Sequence, residues 1–281
     1  MSSGLVANSL PPLTDDLFLD LAQLIYDECG LRFDHSNRFL LHKRLAARVA
    51  ALGVNGFREY YYYLKFDPAR AAEFDALHSH LTTNETYFMR EKGQVAAFAA
   101  FAAALPAAGR RKLRIWSAGC ASGEEPYSIA ILLLEAGLAP TDFEILGSDI
   151  STRVLARARE AQYTMHSFRF LEEPFRKRYF TPSGAGSAMF TLNDSIRERV
   201  SFSVINLYHD DKLNLLGQFD AIFCRNVLIY FDNDSKLTVI GNLHKRLCEN
   251  GFLFLGHSES LITLPPPFKM GRIANEFVYT K

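Results

Sequence analysis

Residues 114–128 read RIWSAGCASGEEPYS, and the reading of this stretch decides the fold. A short apolar run (Ile115, Trp116) enters a turn that holds Gly119 and Gly123. Two acids follow, Glu124 and Glu125, and then Pro126, which suits the first turn of a helix. The predicted helix is apolar over 129–134 and meets a stop signal at Gly137. Strand, glycine turn and helix in that order open a crevice for a nucleotide-like ligand in an α/β sheet. Glycine lets backbone come close to a ligand because no Cβ intervenes. The acids narrow the choice of ligand. A phosphate binder needs its helix N-terminus free of negative charge. Glu124 therefore favours a ligand with hydroxyls or a cation over a pyrophosphate, which argues against a nicotinamide dehydrogenase.

Working outward, the chain of 281 residues is long enough for one large domain or two modest ones. Its 31 basic and 31 acidic residues balance, so no overall field draws it to nucleic acid. Residues 1–13 lack the basic start and long apolar run of a signal peptide. The longest apolar stretch, 95–108, is alanine-rich, interrupted by Pro106 and too short to span a bilayer. Cys29, Cys120, Cys224 and Cys248 are scattered without metal-binding spacing, so no metal site is expected. Free thiols in a reducing cytoplasm are the plain reading.

Pattern divides the chain into a helical front and an alternating back. Asp15 or Asp16 is positioned to cap a first helix, with Leu17, Leu21, Leu24 and Ile25 on one face and Gly30 at its end. Ser36 is positioned to cap a second, apolar at Leu41, Leu45, Val49 and Leu52 and stopped by Gly53. Residues 56–65 and 68–81 predict two more. From Leu113 onward, strands are expected at 113–117, 143–148, 201–205, 219–224 and 252–256, and helices at 126–136, 151–160 and 234–249. This alternation predicts a parallel, doubly wound sheet. Residues 163–199 interrupt it with a polar stretch that reads as a small inserted β element.

The expected strand ends carry polar residues in succession: Gly119 to Glu124, Asp149, Asn206, Arg225 with Asn226, and His257, Ser258 and Glu259. In open α/β sheets the ligand lies at those ends. An acid after the second strand can accept both hydroxyls of a ribose. Asp149 is equally placed to cap the helix near Ser151, and the glycine turn one crossover upstream favours the ligand. Between the halves lies LTTNETYFMRE, residues 81–91. By composition it is a capped linker, with Thr83 or Asn84 starting a helix that contains Phe88.

Five segments, LTTNETYFMRE, WSAGCASGEEPYS, GSDIS, CRNVLIYF and GHSES, resemble in sequence and order the CheR family of chemoreceptor glutamate methyltransferases. The resemblance covers nearly the whole chain. It implies a Rossmann-like methyltransferase sheet with a small β insert, preceded by an all-α domain. The implied domains are 1–81, a linker 82–92 and a catalytic domain 93–281 with its insert at about 163–199. The implied cofactor is S-adenosylmethionine, with S-adenosylhomocysteine as product. The implied cofactor residues are Asn84, Thr86, Arg90, Gly119, Glu124, Asp149, Asn206, Leu207, Arg225 and Asn226. Arg90 and Tyr230 match residues near the transferable methyl group. Arg38, Lys43, Arg44 and Arg48 on the second helix look like a solvated face by charge alone. The resemblance makes them a docking site for an acidic receptor helix. It also offers the β insert as a site for a receptor C-terminal peptide, although SGAGS (183–187) departs from the version that binds one.

The rival classes are a nucleic-acid methyltransferase and a non-catalytic scaffold that binds cofactor. The even charge disfavours the first, as does Asn226-Val227-Leu228 in place of an Asn-Pro-Pro-Tyr segment. The joint presence of Arg90, Asp149, Asn226 and Tyr230 disfavours the second.

Overall fold

The computed structural model describes residues 12–106, 111–184, 186–209, 211, 213–262, 264 and 267–281. Residues 1–11 of the amino-terminal stretch, 107–108 of the alanine-rich run and Ala185 of SGAGS lie outside the described residues. Two compact units divide after Thr83.

The first unit packs α1 (Asp15–Cys29), α2 (Arg38–Leu52), α3 (Phe57–Phe66) and α4 (Arg70–Leu81). Each buries a stripe at helical spacing: Phe18, Leu21 and Ile25, then Leu41, Leu45 and Val49, then Phe57, Tyr60 and Leu64, then Phe74, Leu77 and Leu81. Gly30 and Gly53 end α1 and α2 with φ of 71° and 72°, the left-handed cap that glycine adopts without strain. The start signals differ from expectation by a few residues. Thr14 holds the cap position of α1, and Asp15 and Asp16 lie inside its first turn, where acids suit the helix dipole. Ser36 does not cap α2. Asp34 caps a single 3₁₀ turn, His35–Asn37, by accepting the Ser36 N–H at 2.9 Å, and that turn leads into the helix. The buried Glu73 accepts Arg48 Nε at 2.9 Å, Arg48 Nη2 at 2.6 Å and the Tyr60 hydroxyl at 2.6 Å. One acid thus ties α2, α3 and α4 together.

The second unit begins with α5 (Lys92–Ala104), β1 (Leu113–Ala118), α6 (Glu124–Glu135), β2 (Phe143–Asp149) and α7 (Thr152–Glu160). A small antiparallel element follows, with β3 (Gln162–Thr164), α8 (Glu173–Tyr179), β4 (Phe180–Pro182) and β5 (Met189–Leu192) in the order β3-β5-β4. Then come α9 (Asp194–Arg197), β6 (Val200–Val204), β7 (Phe219–Cys224), α10 (Asn233–Arg246), β8 (Leu247–Leu255), β9 (Lys269–Ile273) and β10 (Glu276–Thr280). The main sheet runs β6-β2-β1-β7-β8-β10-β9, parallel across its first five strands and antiparallel at β10 and β9.

Alternate residues of the central strands supply two cores. Ile115, Phe223 and Phe254 pack with Phe98 of α5 and Ile129 of α6. Trp116, Ile222 and Leu253 pack on the other face with Val239, Ile240 and Leu243 of α10. The chain winds outward from β1 to β2 and β6, then returns to β7 beside β1. The reversal between β1 and β7 is the switch point at which such sheets bind ligands.

The expected fold class is borne out, with a β insert and a helical front, and four details are corrected. The alanine-rich run from residue 95 forms most of α5, which covers one sheet face. The last helix stops at Arg246 rather than 249, because the chain turns at once into β8. The sheet is not wholly parallel, since a hairpin of β9 and β10 closes one edge. Phe88 lies in no helix. Residues 84–87 are irregular, 88–91 form a turn and α5 starts at Lys92. Phe88 is instead fully buried against the rings of Tyr163, Phe168 and Phe180, with centroids 4.8, 5.6 and 4.9 Å away. Among the described residues no helix is long and apolar enough to cross a membrane, and no acid, His or Cys cluster could hold a metal ion. The four cysteines are free thiols.

Candidate functional site

The carboxyl ends of β1, β2 and β7 meet the linker at the switch point. After β1 the backbone turns tightly, with Gly119 at φ 81°, Ala121 at 47° and Gly123 at 93°. A Cβ on Gly119 would stand 2.3 Å from Val227 Cγ2, so the turn after β1 and the loop after β7 touch only because residue 119 is glycine.

Asp149, at the end of β2, is buried and accepts two amides, Ala121 N–H on Oδ2 and Ser151 N–H on Oδ1, each at 2.9 Å. It thus pins the glycine turn and the residue just before α7, and each oxygen retains acceptor capacity for a further donor. Glu124 opens α6 and is 3% exposed. Its Oε2 accepts the Ser122 hydroxyl at 2.8 Å and its Oε1 the Ser167 hydroxyl at 3.0 Å. Burial pushes its carboxyl above the ordinary 4.5, against the serine bonds that favour the charge. Burial likewise raises Asp149 above 3.8, against its amide donors. Neither acid forms an ion pair with a basic side chain among the described residues. Two desolvated acids with no such ion pair suit a ligand that brings hydroxyls and positive charge.

The linker is held over this turn from below. Phe88 N–H donates to Ser167 O at 2.9 Å, and Met89 N–H to Ser128 Oγ at 3.0 Å. The Ser128 hydroxyl donates in turn to Glu124 O at 2.6 Å. Asn84, Thr86 and Arg90 are half-buried along the linker, and Arg90 Nη1 donates to Glu85 O at 3.0 Å. Beside it, Arg169 stacks on Tyr87, 3.9 Å from the ring centre, and pairs with Glu85 at 2.8 Å.

Arg225, directly after β7, is turned into the fold. Its side chain is 2% exposed. Nε donates to Glu125 Oε2 at 2.7 Å, Nη1 to Glu91 O at 3.1 Å and Gln94 Oε1 at 3.3 Å, and Nη2 to Arg90 O at 2.8 Å. A guanidinium has five N–H donors; these four bonds occupy most of them. Arg225 therefore holds the linker, including the backbone of Arg90. Glu125, which accepts the Ser117 hydroxyl at 2.6 Å as well, is its buried counter-ion. Sequence reasoning saw Glu125 only as the neighbour of Glu124.

The remaining expected residues stand on neighbouring strand ends. Asn206 follows β6, and its Oδ1 accepts the Tyr208 N–H at 3.1 Å. Leu207 is buried, with its carbonyl on Asn242 Nδ2 at 3.0 Å. Asn226 follows Arg225 in the left-handed region at φ 59°, and Tyr230 ends a 3₁₀ turn, Leu228–Tyr230, with 38% exposure. Glu259, whose carboxylate binds the backbone of this same loop, was read as one more polar strand end.

In the helical unit, three of the four α2 basic residues have partners of their own. Arg38 pairs with Asp15, Arg44 donates to Leu81 O at 2.5 Å and Thr83 Oγ1 at 3.1 Å, and Arg48 pairs with Glu73. Lys43 is exposed.

Residues 84–276 match the family described as CheR methyltransferase, SAM binding domain, and residues 16–82 match CheR methyltransferase, all-alpha domain. Chemotaxis protein methyltransferase 2 of Vibrio cholerae is 37% identical over 275 residues, covering 96% of this chain and 94% of that protein. Chemotaxis protein methyltransferase of Salmonella typhimurium is 36% identical over 263 residues, covering 92% and 88%. That of Escherichia coli is 34% identical over 263 residues, covering 92% and 89%.

The buried pair generates a stability prediction. Arg225→Met leaves Glu125 charged, desolvated and unpaired, and lowers unfolding free energy by about 3–5 kcal/mol in urea titration. Arg225→Met combined with Glu125→Met recovers most of that loss. An unchanged midpoint in the single variant would show that the pair does not hold the site.

Proposed function

The chain belongs to the CheR methyltransferase family, and we infer that it transfers the methyl group of S-adenosylmethionine to glutamate carboxylates of bacterial chemoreceptors. The two buried acids that form no ion pair with a basic side chain among the described residues, Glu124 and Asp149, carry the cofactor half of this reading. Glu124 receives the ammonium end and Asp149 the ribose hydroxyls. The glycine turn allows backbone contact, while Asn84, Thr86 and Arg90 on the linker, with Asn206, Leu207 and Asn226 on strand ends, complete the cradle. Arg225 contributes by holding Arg90 in place.

When bound, the cofactor supplies an electrophilic sulfonium methyl. The acceptor glutamate has an ordinary pKa of about 4.3 and is ionised at neutral pH, so the protein needs no general base. Its residues orient and exclude water. Orientation alone is worth roughly 7–11 kcal/mol in favourable cases. Tyr230 orients the acceptor carboxylate through its hydroxyl, and Arg90 attracts that carboxylate into line. The reaction consumes a cation–anion pair, so a site drier than water does not over-stabilise the starting state.

The receptor's cytoplasmic signalling domain is the substrate, which puts the reaction in the cytoplasm. Lys43 is the α2 cation that the helical unit leaves exposed, and it supports docking of an acidic helix with help from Arg38, Arg44 and Arg48. The β insert leaves β3 and β4 as outer strands, and a receptor C-terminal peptide would add to one of them as a further strand.

Three outcomes test this reading. With labelled cofactor and receptor-bearing membranes, label appears in receptor glutamates as methyl esters that base releases; label in nucleic acid, or in no acceptor, overturns it. Cofactor affinity falls as pH drops through the raised pKa of Glu124, because protonation removes the charge that meets the ligand's ammonium. Calorimetric titration reads this slope, and Glu124→Gln flattens it while weakening binding by about one to two decades. Lys43→Glu raises the KM for receptor in a salt-sensitive manner and leaves cofactor binding unchanged. An unaltered KM would remove Lys43 from the docking surface.

A further inference from the structure

After β8 the chain turns through Gly256, His257 and Ser258, and Glu259 N–H bonds Gly256 O at 2.9 Å. The Glu259 carboxylate reaches back into the loop after β7. Its Oε2 accepts Asn226 N–H at 2.7 Å and Gly256 N–H at 2.8 Å. Its Oε1 accepts Val227 N–H at 2.9 Å and Ile229 N–H at 3.3 Å. Four amides of two loops therefore converge on one anion, a backbone nest with its anion built in. A carboxylate has about four lone-pair sites, and these four donors fill them. Glu259 has no acceptor capacity left for a ligand or for a proton in flight.

The geometry around it is close. A Cβ on Gly256 would stand 2.8 Å from both Asn226 Nδ2 and Glu259 Oε2. Asn226 is held at φ 59°, a conformation that a residue with a Cβ adopts at a cost. Val227 packs where a Cβ on Gly119 would lie. The 3₁₀ turn that carries Tyr230 starts at Leu228, within the span of amides that Glu259 gathers. Without the anion, four converging N–H groups would lose their shared acceptor.

We propose that Glu259 is a positioning residue for methyl transfer: its carboxylate folds the loop from Asn226 to Tyr230 and so sets where both side chains stand. This rests on the functional reading above, which gives Asn226 and Tyr230 their roles. Glu259 acts through the loop, because its carboxylate is taken up by backbone amides. The chemistry it supplies is a fixed negative charge in a nest of amides, which a small carboxylate from solution can imitate.

The test uses Glu259→Ala with labelled cofactor and receptor membranes, and the unmodified protein in parallel. The variant is expected to keep its circular dichroism and its KM for receptor, and to lose turnover on the order of 10²-fold, as a displacement of about 1 Å would cause. Acetate added to the assay restores turnover in a saturable manner, and acetamide and chloride do not. Turnover close to that of the unmodified protein overturns the proposal, and so does a loss that acetate leaves unchanged. Where the alanine variant does not fold, Glu259→Gln is read instead. It sets an amide NH₂ against two of the four donors, so a loss of turnover supports the proposal and full turnover overturns it. Absence of transfer by the unmodified protein overturns the functional reading and takes this proposal with it; normal transfer by the variants sinks this proposal alone.

Discussion

The arrangement of the site depends on one buried guanidinium. Arg225 leaves the end of β7 and binds Glu125 in the first turn of α6 and the carbonyls of Arg90 and Glu91 in the linker. A charge this deep is tolerated only when its donors are nearly all used and a counter-ion lies beside it. That condition explains why the residues around it are as they are. Glu125 must be an acid, Gln94 must present an acceptor, and the linker must turn its carbonyls inward. The linker pays for that turn in backbone strain, with Met89 at φ 62° and Glu91 at φ 49°.

The same logic repeats at the other strained positions of the site. Ala121 sits at φ 47°, and its amide is gripped by Asp149. Asn226 sits at φ 59°, and its amide is gripped by Glu259. Each departure from ordinary backbone is thus matched by a side-chain charge that binds the strained segment or its neighbour. A left-handed non-glycine residue costs about 1–2 kcal/mol, comparable to one charge-assisted hydrogen bond of about 1.5–3 kcal/mol. The balance is near even locally. What it secures is a single placement of three loops that would otherwise sample several.

The parts legible in the sequence were those whose signal is local. RIWSAGCASGEEPYS places strand, glycine turn and helix within fifteen consecutive residues, so the switch point and the acids at its rim follow from reading along the chain. The apolar stripes of α1 and α2 did the same for the helical unit. Local reading was less sharp where two local signals compete, as when Asp34 rather than Ser36 captured the turn before α2. It missed α5 because a run of alanines shows little periodicity, and it missed the hairpin of β9 and β10 because that edge alternates only weakly. Partners distant in sequence were invisible. Arg225 and Glu125 are 100 positions apart, and Arg225 and Arg90 are 135 apart. Arg225 beside Asn226 on a strand end gives no local sign of the bonds that Arg225 makes to Glu125 and the linker.

This distinction bears on how such a site can work at all. An acceptor that is already a carboxylate needs no proton removed, so the usual signature of a catalytic base has no reason to be present. Asp149 and Glu259 are acids in or beside the cleft, and both bind backbone amides: four fill Glu259, whereas Asp149 takes two and keeps room for ligand hydroxyls. Glu124 is bound by the Ser122 and Ser167 hydroxyls, and burial raises its pKa as it does those of Asp149 and Glu259. The division is a consequence of the chemistry. Charges saturated by the fold hold geometry, and the charge left under-satisfied is the one that a cationic ligand completes. For a reaction whose barrier is lowered by orientation rather than proton transfer, most of the ionisable groups at the site should be of the first kind, and here they are.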